Sequence, residues 1–135
     1  MSFSNAAELA INTYIFKGTD VSWDGNANLY WALYESDPGE AGSATSNEIA
    51  YTNYARVAVD RATGLTLSAG TVSNAGLIQF PICGATSGSA VYVGICDTAT
   101  GSGTLILSGA LSSTQTIQSG NQPQFNAGDF VFTLD

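Results

Sequence analysis

The feature that most constrains the fold of this chain is a series of short apolar segments with a period of two, each closed by turn-forming residues. In the first segment, 29–34, both alternating rows of side chains are apolar, which is typical of a central strand covered on each face. Similar segments follow at 55–60, 65–68, 76–80, 90–96, 104–111, 114–118 and 130–134. Their spacing predicts a mainly β fold, an antiparallel β-sandwich of Greek-key or jelly-roll type with about seven or eight strands.

One segment near the N-terminus has a helical period instead. Residues 5–16 predict a single helix, with Asn5 as its N-cap, Glu8 as the capping partner and Gly18 as its end. We expect the helix to lie on a sheet or on a neighbouring subunit by its apolar side. That side comprises Leu9, Ile11, Thr13, Tyr14, Ile15 and Phe16.

The chain has the size of one domain, with 135 residues, of which 44% are hydrophobic. We divide it into an N-terminal helical arm, residues 1–18, and a single β-sandwich domain, residues 19–135. The alternating rows of the strands predict which side chains form the core. They are Leu29, Trp31, Leu33, Val57, Val59, Leu77, Phe80, Val93, Ile95, Leu105, Leu107, Phe130 and Phe132.

The charge balance excludes several classes of partner. Lys17, Arg56 and Arg61 are the only cationic side chains beside 11 carboxylates, so no basic surface is available for a phosphate backbone, and we expect no nucleic-acid binding. No stretch approaches the roughly 20 apolar residues of a membrane span, and the N-terminus does not have the pattern of a secretion signal. A surface with so few charges is covered by hydroxyls and amides, which are easier to desolvate and suit lasting protein contacts.

The two cysteines predict neither a metal site nor a redox motif. Cys83 and Cys96 lie in apolar segments, without a CxxC spacing and without any histidine in the chain. Because unpaired cysteines tend to be buried, we expect two buried free thiols. A disulfide between strands is the alternative.

Catalytic and ligand-binding motifs are absent or incomplete. A serine or cysteine nucleophile needs a neighbouring base, and the chain has no histidine. Glu35 and Asp37 could in principle act as the carboxylate pair of a glycosidase, but carboxylates that flank a turn are usually only solvated. Residues 20–25 resemble the first half of a calcium loop, but its twelfth position is Trp31 and not glutamate. The glycine-rich segment 97–103 has no lysine and is typical of a hairpin turn. We therefore expect no enzyme activity, no cofactor and no structural metal.

Aromatic side chains crowd the first half of the chain and have two interpretations. Trp31 lies in an apolar strand and is expected in the core, whereas Trp23 and Tyr51 lie among turn residues and are expected to be exposed. The loop 40–51, which has no period, is expected to lie on the surface and make contacts. Exposed aromatic side chains at these positions could contact a protein or stack on a sugar.

Several segments taken together resemble a family of short virion proteins of tailed bacteriophages that are often described as tail-fibre-like. The matching segments are LYWALYESDPGEAG at 29–42, NE at 47–48, YARVAV at 54–59, SNAGLIQFP at 73–81, VGICDTATG at 93–101, LSGAL at 107–111 and FNAGDFVFTLD at 125–135. The resemblance covers nearly the whole chain. It implies a virion protein without enzyme activity, and no catalytic residue is carried over because the family's motif contains none.

The resemblance leaves the position in the virion open. We favour a capsid decoration (cement) protein that binds and stabilises the lattice of the major capsid protein, because the chain contains neither a long shaft nor a coiled-coil repeat. The alternatives are a tail-fibre or tail-tip component that binds a host-surface glycan, and a head–tail or baseplate adaptor. In each case we expect a homo-oligomer, dimeric or trimeric, in contact with other virion proteins.

The expected contact surfaces are the segments 2–18 and 38–51, together with the aromatic side chains placed outside the sheets. They combine apolar or easily desolvated groups with positions outside the predicted strands. The candidate interface residues are Phe3, Leu9, Tyr14, Phe16, Trp23, Pro38, Glu48 and Tyr51.

Overall fold

A computed structural model of the chain describes residues 2–133, which form ten strands and one helix. In chain order these are β1 (Ser2–Phe3), α1 (Asn5–Lys17), β2 (Asn28–Tyr34), β3 (Val57–Asp60), β4 (Leu65–Ser68), β5 (Thr71–Asn74), β6 (Ile78–Gln79), β7 (Gly88–Cys96), β8 (Leu105–Ile117), β9 (Gln124–Phe125) and β10 (Val131–Thr133). The two predicted segments 104–111 and 114–118 are one continuous strand, β8. Residue 134, the end of the last predicted segment, lies outside the described residues.

The strands form three antiparallel sheets. The largest has the order β1-β8-β7-β2-β3, the second β10-β5-β4, and the third consists of β6 and β9. On β2, Trp31 lies opposite Ile95 of β7 and Val57 of β3. The strand with apolar side chains on both rows is therefore an interior strand, as its pattern predicted.

An aromatic cluster joins the sheets face to face. Trp31 of the five-stranded sheet packs on Phe130 and on Phe132 of β10, with ring centroids 5.1 and 5.7 Å apart. Phe130 in turn contacts Phe125 of β9 at 4.5 Å, and Phe125 packs edge-on against Phe80. The predicted antiparallel β-sandwich with one N-terminal helix is confirmed, and its core lies between the sheets.

The prediction that Leu77 lies in the core is wrong, and Val57, which was also predicted there, is only partly buried. Leu77 is 53% exposed, whereas Ile78 and Phe80 are buried. Side chains of an extended chain alternate between the two faces, so a segment that buries 78 and 80 must turn residue 77 outward. The other predicted core side chains are all buried.

The helix begins at Asn5, as predicted, but its N-cap lies one residue earlier than predicted. Ser4 is the N-cap and accepts a hydrogen bond from the backbone N–H of Ala7 at 3.2 Å, so the prediction of Asn5 as cap with Glu8 as partner is wrong. The Ser4 hydroxyl also donates to the carbonyl of Leu105 in β8. Gly18 ends the helix in the left-handed conformation, with φ of 68°, as predicted.

The segment 2–18 lies against the large sheet. Phe3 pairs with Leu107 of β8, the Ser4 N–H donates to the carbonyl of Ile106 at 3.0 Å, and Ala7 is fully buried. The division into an arm and a sandwich domain stays a prediction. Within the described residues, α1 is attached to the sheet through β1 and its own first turn.

The loop 40–51, expected to lie on the surface and make contacts, is largely at the surface but also contributes three side chains to the core. Ala44, Ile49 and Tyr51 are buried. The N–H of Ile49 donates to the carbonyl of Leu33 at 3.0 Å, so this segment runs beside β2 where β3 no longer pairs with it. Although the loop is rich in small polar residues, it contains a short extended segment whose alternate side chains point inward.

Both cysteines are free and buried, as predicted. Burial raises the pKa of the Cys96 thiol to about 11, and the charge of Glu48 adds to this effect against the opposing charge of Arg56. Since the thiolate is the reactive form, Cys96 in the folded protein should react with a disulfide reagent near pH 8 roughly 100-fold more slowly than an ordinary thiol.

The measurement is the rate of DTNB reaction in buffer and in concentrated guanidinium, where both thiols become accessible and serve as the control. We expect rapid reaction of both cysteines only as the protein unfolds. Rapid labelling of Cys96 in the folded protein would show that the strand pair β7–β8 opens readily.

Candidate functional site

Helix α1 carries large apolar side chains that contact little within the chain. Leu9 is 68% exposed, Tyr14 53%, Ile15 61% and Phe16 80%. We call these four side chains the apolar helix face. The helix packs on β8 near its N-terminal end, where Ala7 is buried and Ala10 and Ile11 are partly buried. Small residues therefore attach the helix, and most of its large apolar surface stays open to solvent.

Three of the predicted interface residues are buried and cannot serve as exposed contacts. Trp23 is 8% exposed and Tyr51 3%, so the prediction that these two aromatics are exposed is wrong, and Pro38 is buried as well. The Tyr51 hydroxyl donates to the carbonyl of Pro81 at 2.8 Å, and burial, with the nearby Cys83, raises its pKa to about 12. Their loops fold back onto the core, which turn-rich composition does not reveal.

Of the remaining predicted interface residues, only those on the helix are exposed. Leu9, Tyr14 and Phe16 belong to the apolar helix face. Phe3 is partly buried in β1, and Glu48 forms an internal ion pair with Arg56. The structure thus separates the predicted set into one open surface, on α1, and residues that hold the domain together.

A second feature was not predicted: an open groove of about 520 Å³ at the end of the large sheet. Its floor includes Tyr30 of β2. One wall comes from the loop before β2 and the other from the turn between β7 and β8. We call it the Tyr30 groove. Its polar or aromatic lining residues are Asn26, Asn28, Tyr30, Asp97, Thr98 and Thr100.

Arg61 fixes the first wall of the groove. Its Nη1 donates to three backbone carbonyls, those of Trp23, Asp24 and Asn26, at 2.8, 2.9 and 2.9 Å. Arg61 directly follows β3, so the hydrogen bonds tie the loop before β2 to the edge of the large sheet. A guanidinium suits this role because its donors are held in a rigid fork.

Arg56 fixes the second wall from the same edge of the sheet. Its Nη1 donates to the Thr98 carbonyl at 2.9 Å and its Nη2 to the Gly101 carbonyl at 2.8 Å. Its Nε and Nη2 also donate to the two carboxylate oxygens of Glu48, both at 2.7 Å. This bidentate pair is shielded from solvent, because the Arg56 side chain is 2% exposed and that of Glu48 14%.

Tyr54 completes the ion pair. Its hydroxyl donates to Glu48 at 2.9 Å and accepts the Leu33 N–H at 3.1 Å. Burial, followed by the charge of Glu48, raises the pKa of Tyr54, which keeps the hydroxyl protonated and able to donate. The Glu48 carboxylate therefore has partners on both oxygens, as a shielded charge requires.

Asp97 lies where the two walls meet. Its carboxylate accepts the Thr104 N–H at 2.7 Å and the Ser22 hydroxyl at 3.4 Å, and its carbonyl accepts the Asn26 side-chain amide at 2.9 Å. A Cβ at Gly103 would collide with Asp97 and Thr98, so the turn needs glycine there. The contacts make the walls of the groove rigid before any ligand binds.

The sequence contained both walls but no sign that they meet. Residues 20–25 were considered as a calcium loop and 97–103 as a glycine-rich loop, and each was rejected alone. The available signal was the rarity of cations: two arginines in a chain with three cationic residues suggest specific structural roles. Within residues 2–133, no three Cys, Asp or Glu side chains are grouped closely enough to hold a metal ion. None of these residues lies in a helix long and apolar enough to cross a bilayer.

These features define a class: a small antiparallel β-sandwich with an exposed apolar helix face and a polar groove as candidate contact surfaces. A family model described as podophage GP4 fiber I protein gp80 matches residues 2–133. The chain belongs to this family, which confirms the resemblance to small virion proteins of tailed phages. No curated protein matches the chain.

Proposed function

We propose that the protein is a non-enzymatic component of a tail fibre in the virion of a tailed bacteriophage, held to its neighbours by the apolar helix face. The family description names a fibre protein. We therefore prefer the hypothesis of a tail-fibre component to that of a capsid cement protein, which was favoured from the sequence. The observation that carries the assembly role is the set of four large apolar side chains on α1 that are 53–80% exposed.

The size of this surface supports a protein interface. A large apolar side chain has on the order of 150–250 Å² of surface, so the exposed fractions leave roughly 500 Å² of apolar area on one short helix. Patches of about 300–600 Å² are the largest on typical monomers and are often functional. A standard interface buries about 800 Å² per partner, so the helix supplies a large part of one.

The apolar helix face allows self-association as part of this assembly in spite of the net charge of the chain. The formal charge of the chain is -8, so copies repel each other at long range. The apolar helix face itself contains no carboxylate, and its contacts do not require an opposite charge. We propose a homo-oligomer, dimeric or trimeric, in which α1 packs against another copy and the assembled unit joins other virion proteins.

The test is the double substitution Leu9→Gln and Phe16→Gln. Both side chains point to solvent, so the free energy of unfolding should change by less than about 0.5 kcal/mol. Incorporation into virions should fall about tenfold or more, because large apolar anchors contribute on the order of 1–2 kcal/mol each to an interface. Phage particles carrying the variant are purified and the protein is quantified by mass spectrometry, with sedimentation of the purified protein reporting its oligomeric state.

The matched control is Asn12→Ala, which changes an exposed polar residue of the same helix and should leave incorporation unchanged. Immunogold labelling of wild-type particles gives the position in the virion. Full incorporation of the double variant would refute the role of the helix. Labelling confined to heads would refute the fibre role and would favour the hypothesis of a capsid cement protein.

A further inference from the structure

The Tyr30 groove is not involved in the proposed assembly role, yet its walls are held in place by specific hydrogen bonds. Arg56 and Arg61 make hydrogen bonds to five backbone carbonyls in its two walls. Rigid walls lower the entropic cost of binding, since the loops need not be ordered when the ligand arrives. Its volume of about 520 Å³ also lies in the range of roughly 300–1,000 Å³ that is typical of ligand sites.

Several polar groups at the groove are free to bind a ligand. The side chains of Asn28, Tyr30 and Thr100 make no hydrogen bond to any of residues 2–133, in contrast to Asp97 and Asn26, which hold the walls together. No buried side-chain nitrogen or oxygen in this part of the chain is without a partner, so the free groups are open to water. An amide and two hydroxyls can both donate and accept, as can the hydroxyls of a sugar.

The lining also excludes other ligand classes. Its only aliphatic side chains are those of Ala27 and Ala99, too small to hold a lipid or an apolar peptide. Among the described residues that line it there is no lysine or arginine, and Asp97 contributes a carboxylate. Arg56 and Arg61 hydrogen-bond the backbone of the walls but do not line the groove, so an acidic sugar or a phosphate would meet the Asp97 carboxylate in a chain whose net charge is already -8.

We propose that the Tyr30 groove binds a neutral saccharide. The ring of Tyr30 supplies the amphipathic surface on which a sugar can lie, and Asn28 and Thr100 hydrogen-bond its hydroxyls. Recognition of a host-surface glycan by a fibre is the biological meaning of this site and rests on the proposed function. The binding itself is a property of the isolated domain and does not depend on where the protein lies in the virion.

The test uses the purified full chain on an array of neutral oligosaccharides of glucose, galactose, mannose and N-acetylglucosamine, beside analogues of equal length that contain uronic or sialic acid. We expect at least one neutral oligosaccharide to bind, and its acidic analogues to bind at least about tenfold more weakly. Tyr30→Ala should reduce binding about tenfold or more, whereas Tyr30→Phe, which keeps the ring, should stay within about threefold.

Two further variants separate loss of binding from loss of folding. Thr100→Trp lies on an exposed turn and fills the groove without disturbing the core, so it should abolish binding even if Tyr30→Ala is unstable. Tyr92→Ala is the matched control, because Tyr92 is a partly buried tyrosine of the neighbouring strand β7 that does not line the groove. It should bind like the wild type.

The proposal is overturned if no neutral saccharide binds at millimolar concentration, if binding survives Thr100→Trp, or if the acidic analogues bind more tightly. A host-surface protein captured through Tyr30 in place of a saccharide would also overturn it. These outcomes are distinct from failure of the fibre role: a tail protein without saccharide binding refutes only this site, and a saccharide-binding protein found on heads refutes only the fibre role.

Discussion

Replacing Trp31 with alanine is expected to lower the free energy of unfolding by about 3–5 kcal/mol, as other truncations of large core side chains do. Trp31 is 1% exposed and its ring contacts both Phe130 and Phe132. These contacts join the five-stranded sheet to β10, so the cavity would lie at the junction of two sheets. The rigid strands around it cannot collapse to fill the space.

Urea unfolding followed by far-UV circular dichroism measures this change. Trp31→Phe keeps an aromatic ring at the position and should cost much less, while Leu67→Ala, at a residue that is 74% exposed, should change the stability by under about 0.5 kcal/mol. A loss below about 1 kcal/mol for Trp31→Ala would mean that the sheets are held together by other contacts.

The strands were predictable where one physical rule dominated. Segments with a period of two and clear turn residues, such as 65–68, match the structure closely. The short strands β1, β5 and β9 were missed, because two to four residues contain too little pattern to be recognised. Their pairing depends on partners distant in sequence.

Burial in the loops was harder to predict than burial in the strands. Trp23, Ile49 and Tyr51 lie among polar or small neighbours, and what buries them is the return of their loops to the core. The predicted apolar side of α1 does not make the main contact with the sheet, because Ala7, which was not part of that side, is the buried residue of the helix. The structure shows that the rest of the described chain leaves four of its large side chains exposed.

The groove could not be predicted because its walls are far apart in sequence. Asn26 and Asp97 are separated by 71 positions and meet only because β2 and β7 are neighbours. Arg56, 42 positions before Thr98, likewise reaches the turn after β7 only in the folded sheet. Interactions of this kind depend on topology, and topology follows from strand pairing rather than from local composition.

Removing Arg56 should therefore lower the stability of the fold strongly and release one wall of the Tyr30 groove. Arg56→Ala leaves the Glu48 carboxylate shielded without its cation and frees the carbonyls of Thr98 and Gly101. Loss of one partner from a buried ion pair costs about 3–5 kcal/mol, much of it the penalty of the remaining charge. We expect the free energy of unfolding to fall by that amount in urea titrations.

Arg61→Ala is the matched control, because it removes the other arginine that holds a wall of the groove but leaves no carboxylate of residues 2–133 unpaired. It should cost only about 1 kcal/mol, since its residue is exposed and its carbonyl partners can bind water instead. If the charge of Glu48 causes most of the Arg56 penalty, adding Glu48→Gln to Arg56→Ala should recover about 1–3 kcal/mol relative to the sum of the single changes. The alternative outcome is that both arginine variants lose the same free energy of unfolding and that the effects of Arg56→Ala and Glu48→Gln simply add. Both arginines would then only fasten loops.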